Sequence, residues 1–237
     1  MAKVKQPLEE NGIHRAKMWE IMMYALNNTS TNTYMMVVGY ISYFLIGIVG
    51  LASVLAGSIV TIMRIWDGVT DPFVGMMVDK TNGKFGKNRP FIVIGQIIMF
   101  ATTFVMFNFI PKMGTGVRFV AFIIIYMIYI IGYTCQCVVT KSAQTCLTND
   151  PKQRPLFTIF NTVGSLLGMG AMQFFAPILA KNYEGGYASA GFFRTLAPVG
   201  IVISILLTIL AIIGIWEKDQ PKYFGIGGEK TEKVKVS

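Results

Sequence analysis

The sequence predicts an all-α membrane protein with six transmembrane helices and both termini on the cytoplasmic side. Three observations carry this. Hydrophobic residues make up 53% of the 237-residue chain and charged residues only 14%, against about 25% charged in a soluble domain, and the mean hydropathy is +0.54. Uncharged windows of the roughly 20 residues that a crossing requires recur along the chain. Lysines and arginines collect at alternate helix ends, as the positive-inside rule demands.

The helices follow in order. No charge occurs from Ile21 to Met63, about twice the length of one crossing. "GIVGLAS" (Gly47 to Ser53) offers a turn between two helices there. The first is placed at 18–46 and the second at 52–78, continuing through Asp67 and Asp71. The uncharged windows Phe91–Pro111, Phe119–Thr140, Pro155–Ala180 and Thr195–Trp216 give four more helices, at 90–111, 118–146, 155–181 and 192–216. Residues 1–17 form a cytoplasmic arm, 18–217 the bundle, and 218–237 a polar cytoplasmic linker or tail.

Lys3, Lys5, Arg15, Lys17, Lys80, Lys84, Lys87, Arg89, Lys152, Arg154, Lys218 and the tail lysines fall on one side. Only Lys112, Arg118, Lys181 and Arg194 fall on the other. The larger group marks the cytoplasm, so the net charge of +9 is a topology signal with some contact to lipid headgroups, and no nucleic acid is needed to explain it. The N-terminus lacks the apolar core of a signal peptide. Cys135, Cys137 and Cys146 have neither zinc nor redox spacing and read as packing residues. His14 reads as a solvated side chain of the arm. H-E-x-x-H, G-x-S-x-G and phosphate-loop patterns are missing, so the chain is not read as an enzyme.

The informative stretch is "RIWDGVTDPFVGMMVDK", residues 64 to 80. Asp67, Asp71, Gly75 and Asp79 recur every fourth residue and share one helix face, with Arg64 at its edge. Charges at a helix centre cost about 2.5–3.5 kcal/mol each on insertion scales, so they belong in the bundle interior or against a water-filled cavity. At 1.5 Å per residue, Thr33 and Thr29 of the first helix lie at the depth of these carboxylates. The run Asn27 to Thr33, including Asn28 and Thr31, therefore reads as a polar band that either lines a cavity or glues helices. The same count brings Cys137 and Lys141 of the fourth helix to that depth. Lys141 is expected either as a counter-charge for Asp71 or snorkelling to the interface. Two carboxylates among oxygen-bearing neighbours suit Na⁺ or H⁺, with Asp67 and Asp71 as ligands if the ion is Na⁺. No other cofactor is expected.

"RIWDGVTDPFVG" together with the loop "DKTNGKFGKNRP" resembles the glycoside–pentoside–hexuronide cation symporters, the melibiose-carrier branch of the major facilitator superfamily. The resemblance implies that Asp67 and Asp71 bind the coupling cation beside Arg64. It implies a cytoplasmic gate built from Gly75, Asp79, Lys80, Gly86, Lys87 and Arg89, and alternating access between two six-helix halves in the plasma membrane. The chain then corresponds to the N-terminal half. Two sugar-contacting aspartates of the melibiose carrier align with Thr31 and Cys137, so galactoside specificity is not implied. The expected function is Na⁺- or H⁺-coupled symport of a sugar, glycoside or hexuronide-like solute. Expected partners are that solute, the cation, membrane lipids and a C-terminal six-helix half or a second copy. The alternatives are a lysolipid or amphiphile carrier of the same superfamily and a non-transporting membrane interaction module.

Overall fold

The computed structural model describes residues 14–81, 83 and 85–220, and these are helical with no strand longer than a single bridge between Gly83 and Gly86. α1 (Met18–Gly39) and the short α2 (Ile41–Phe44) form one rod, which ends in a π-helical turn, Leu45–Val49. α3 (Ser53–Lys80), α4 (Arg89–Asn108), α5 (Thr115–Leu147), α6 (Arg154–Ala180) and α7 (Ala190–Ile215) complete six long rods among the described residues, with 3₁₀ turns at Ile110–Lys112 and Gly186–Ala188. Five rods are long and apolar enough to cross a membrane; α3, with its charges, falls outside that set.

The ends are set by local chemistry. Glu20 reaches back to the Lys17 N–H at 2.8 Å and closes the first turn of α1. Gly50, at φ 85°, takes the left-handed conformation that stops the first rod. Pro90 and Pro155 sit in the first turns of α4 and α6, where a missing N–H costs nothing. Ser189 accepts the Gly191 N–H and caps α7.

α1 is the central rod, packed against α5, α6 and α7, while α4 lies on α5 and α7 and α3 on α5. An apolar cluster around Phe44, Phe107, Phe122 and Phe193 fills the end near the α1–α3 turn. A second, around Tyr24, Val139, Leu147 and Ile215, fills the end that holds the α3–α4 loop. Gly95 and Gly132 let α4 and α5 approach so closely that an added Cβ on Gly95 would stand 2.9 Å from the Gly132 carbonyl.

The packing is lopsided. In α6 only Phe157, Met172, Ala176 and Ala180 are buried, and α3 buries 6 residues of its 28. These two rods present the open side of the bundle.

Candidate cation site and a clasp at the α3–α4 loop

Asp67 is half-buried between α3 and α5. The Thr134 hydroxyl of α5 donates to its Oδ1 at 3.1 Å. Thr70, one turn further along α3, stands 3.0 Å from the Thr134 Oγ1 and donates to the Asp67 carbonyl at 2.9 Å. The Trp66 indole donates to the Met127 carbonyl at 3.3 Å and pins the same stretch of α3 to α5. Arg64 reaches Asp67 only loosely, at 4.0 Å, with its side chain 58% exposed.

Asp71 lies one turn along on the open side, exposed and without an ion pair among the described residues. Lys141 is also exposed there and makes no ion pair with Asp71, which removes the direct counter-charge contact from the expected layer. Cys137 is half-buried on the same stretch of α5.

Asn28 and Thr31 do not join the carboxylates. Asn28 and Asn32 both donate to Ser165 Oγ of α6, at 2.8 and 2.9 Å. Thr31 donates to the Asn27 carbonyl of its own helix at 2.9 Å. Asn27 turns to Thr140 of α5, and Ser30 to Ser204 and Thr208 of α7. A continuous polar run on a central helix points in every direction, because each residue advances the azimuth by about 100°. Depth along the axis fixed the level of these side chains and said nothing of which neighbour they meet.

A cavity of about 170 Å³ opens beside Asp67, between the first rod, α3 and α5. Its lining includes Met35, Met36, Arg64, Asp67 and three tyrosines of α5, Tyr126, Tyr129 and Tyr133.

The expected gate residues cluster at the other level. Lys87 Nζ pairs with Asp79 at 2.7 Å. Arg89 turns away from Asp79: its Nε approaches Asp219 Oδ2 at 3.4 Å, its guanidinium donates to the Asp219 carbonyl at 3.2 Å, and its plane lies 4.5 Å over the Trp216 ring. Asp219, like Thr134, is a group that sequence reasoning missed. Fully buried, it accepts the backbone N–H groups of Lys87, Asn88 and Arg89 and the Asn88 side-chain amide, at 2.9–3.2 Å. A carboxylate there satisfies the open N–H groups at the start of α4 and meets the positive end of its dipole. Gly86, at φ 93°, lets the loop pass against this carboxylate, since any Cβ would overlap it. Lys80 is exposed, Gly75 has no close neighbour, and Lys84 lies outside the described residues.

Parts of the arm and of the tail pack into the fold. Residues 218 and 219, assigned to the tail, are part of the fold, and Lys218 Nζ donates to the Arg15 carbonyl at 3.0 Å. Residues 14–17 of the arm dock on the α5–α6 loop, and His14, expected as a solvated side chain, is half-buried there. Arg15 pairs with Asp150 at 2.6 Å, the His14 N–H donates to Asn149 Oδ1 at 2.7 Å, and His14 Nε2 lies 3.3 Å from the Cys146 carbonyl. The Lys152 N–H and Arg15 hold the Asp150 carboxyl below its usual range, while partial burial lowers the affinity of His14 for a proton. The remaining arm and tail residues lie outside the described residues.

Residues 23–232 match the family model described as MFS/sugar transport protein. The chain is 27% identical over 203 residues to the uncharacterized symporter YnaJ of Bacillus subtilis, covering 84% of this chain and 43% of that protein. It is 24% identical over 221 residues to the isoprimeverose transporter of Lactiplantibacillus pentosus, covering 92% and 45%. A putative glycoside/cation symporter of Escherichia coli, YagG, matches at 25% over 169 residues, covering 71% and 36%. The chain thus spans less than half the length of these relatives. Among solved structures, the proton:xylose symporter XylE bound to 6-bromo-6-deoxy-D-glucose superposes with a TM-score of 0.64 at 14% identity, covering 83% of this chain and 44% of that one. At that identity the likeness is one of fold.

Proposed function

Because this chain belongs to the MFS/sugar transport protein family, a family of multi-pass plasma-membrane transporters and not of enzymes, we propose that it supplies the N-terminal half of a cation-coupled sugar symporter. The observation that carries the reading is the Asp67 site. A half-buried carboxylate, held by a threonine hydroxyl from a second helix and followed one turn later by an unpaired aspartate, is a poor structural contact and a good receptor for a small cation.

The chemistry proposed for the site follows from its atoms. Asp67 and Asp71 supply anionic oxygens and Thr134 a neutral one, a set suited to Na⁺ or a proton. Arg64 compensates part of the charge while the ion is away and yields easily, because its contact is long and exposed. Neutralising the carboxylates lowers the cost of enclosing them, so the ion favours the state in which the cavity is closed from solvent. The cytoplasmic clasp of Asp79, Lys87, Arg89 and Asp219 ties α3, α4 and α7 into a unit that moves as a body during alternating access. A solute of the sugar, glycoside or hexuronide class would sit between this half and a second six-helix unit. In this reading α3 crosses the membrane and both termini face the cytoplasm.

The test is solute uptake by the assembled carrier with Asp67→Asn or Asp71→Asn, measured against Na⁺, Li⁺ and pH. Each substitution should abolish the cation dependence while leaving solute exchange measurable. Unchanged cation dependence in both variants would remove the site.

A further inference from the structure

Opposite ends of the described chain meet at one place. Just past α7, the N–H groups of Lys218 and Asp219 both donate to the Ile215 carbonyl, at 3.0 and 2.9 Å, so the two residues are a fixed extension of that helix. Both are buried, at 6% and 0% exposure. A lysine is rarely buried unless its ammonium finds acceptors. Lys218 donates to the Arg15 carbonyl of the arm at 3.0 Å, while Asp219 beside it accepts the N–H groups that open α4. One buried dipeptide therefore holds two segments that are far apart in sequence, the arm and the start of α4.

The arm is gripped from the other side by the α5–α6 loop. The Ala16 N–H donates to Gln153 Oε1 at 3.0 Å, and the Gln153 amide returns a bond to the Ala16 carbonyl at 2.9 Å. The His14 carbonyl accepts the Thr148 hydroxyl at 3.0 Å. A second link runs through Cys146: the Asn88 side-chain amide donates both to Asp219 and to the Cys146 sulfur, and the Cys146 carbonyl lies against the His14 ring. Gly214 closes the arrangement, since an added Cβ there would stand 2.8 Å from the Met23 Cβ; the last turn of α7 is pressed on the first turns of α1. Local docking alone is enough to tie down a terminus. Here a buried ammonium is added to it, and an ammonium that loses an acceptor in such a place is left poorly solvated. Undocking the arm disturbs Lys218, and Asp219 is one peptide away on the same turn.

We propose that the arm is a strap on the α3–α4 clasp: docking of residues 14–17 strengthens, through Lys218 and Asp219, the capping of α4, and release of the strap loosens the α3–α4 loop. The coupling follows from these contacts and holds whether or not the chain carries sugars. In a carrier, the strap would set how readily this end of the bundle opens.

The experiment is hydrogen exchange on the purified full chain in lipid nanodiscs. Gln153→Ala removes both bonds to Ala16 and none to α4. It should quicken exchange of the Lys87, Asn88 and Arg89 amides about fivefold or more, with α1 and the middle of α4 unchanged. Arg15→Gln breaks the Asp150 pair, keeps the Arg15 carbonyl in place, and should repeat that pattern as an independent release of the arm. Lys218→Met keeps the apolar stem and drops the ammonium. It should quicken the same amides, and adding Gln153→Ala to it should change them by about twofold at most. Three results would each overturn the strap: faster proteolysis of the arm in Gln153→Ala with the α4 amides at their wild-type rate, effects of Gln153→Ala and Lys218→Met that multiply in the double variant, or protection lost evenly along the whole chain. The carrier reading stands or falls separately, on the cation dependence of uptake.

Discussion

The hydroxyl of Thr134 is the smallest change that separates a cation site from a structural contact. It donates to Asp67, the half-buried carboxylate of the pair. If it serves only to satisfy Asp67, its loss weakens the fold and leaves the ion response alone. If it completes the site, Thr134→Val should raise the cation concentration for half-maximal coupling about three- to tenfold, with Thr134→Ser restoring it, measured as Na⁺ or proton dependence of uptake by the assembled carrier. Asp67 and Asp71 stood out in the sequence because charge inside an apolar helix has few uses, but of the two the structure half-buries only Asp67 and leaves Asp71 exposed. Thr134 was not, because a threonine in a membrane helix most often bonds its own backbone. Depth counting chose Cys137 and Lys141 on the same helix. Tyr133, Thr134 and Thr140 all carry an oxygen one turn from Cys137, so spacing alone did not single out Thr134.

At the scale of elements, helix limits were almost fully readable, since charge-free windows and turn residues mark them; predicted 118–146 became Thr115–Leu147 and predicted 155–181 became Arg154–Ala180. What could not be read was the contact between segments far apart in sequence. Asp219, 130 residues beyond Arg89, caps the helix that Arg89 begins. Asp219→Asn replaces a pure acceptor with a group that must present some N–H to five N–H donors. About 3 kcal/mol of stability should be lost, seen as a lower unfolding midpoint in detergent, with α4 the first helix to lose hydrogen-exchange protection. The docked arm makes a second prediction at this scale. Burial favours neutral His14 in the folded protein, so its folded pKa lies below the ordinary 6.5. The unfolded or undocked arm then binds the proton more readily. Docking of residues 14–17 is therefore fully supported above pH 6.5 and weakens as pH falls below it. Asp150, depressed in the same region, adds a further loss only below the ordinary carboxylate range, near 3.8 and under. Proteolysis at the arm should quicken between pH 6.5 and 5 in the wild type and be pH-independent in that window in His14→Gln.

At the scale of the whole molecule, the open side of α3 and α6 decides how the chain exists in a membrane. Arg64, Asp71 and Lys141 are exposed on the bundle alone, and facing lipid each would cost about 2.5–3.5 kcal/mol on insertion scales. Phe73 of α3 and Leu166 of α6 are 61% and 67% exposed on the poorly packed rods, while Ile97 of α4 is 58% exposed on a rod that is otherwise well packed. Exposure alone does not separate a lipid-facing residue from one covered by another protein unit, but on α3 the charges of Arg64 and Asp71 do, because lipid tails cannot solvate them. The relatives are more than twice as long as their match to this chain, length enough for a second unit of similar size. Expressed alone, the chain should therefore cover the α3–α6 side with another copy. With Cys135, Cys137 and Cys146 replaced by serine, Phe73→Cys and Leu166→Cys should form intermolecular disulfides in membranes under mild oxidant, and Ile97→Cys should not. Co-expression with a complementary six-helix unit should suppress the Phe73 and Leu166 cross-links by occupying the same side. Cross-linking through Ile97 instead, or from all three positions equally, would mean that the charged side is turned to lipid or water and that the second unit binds elsewhere.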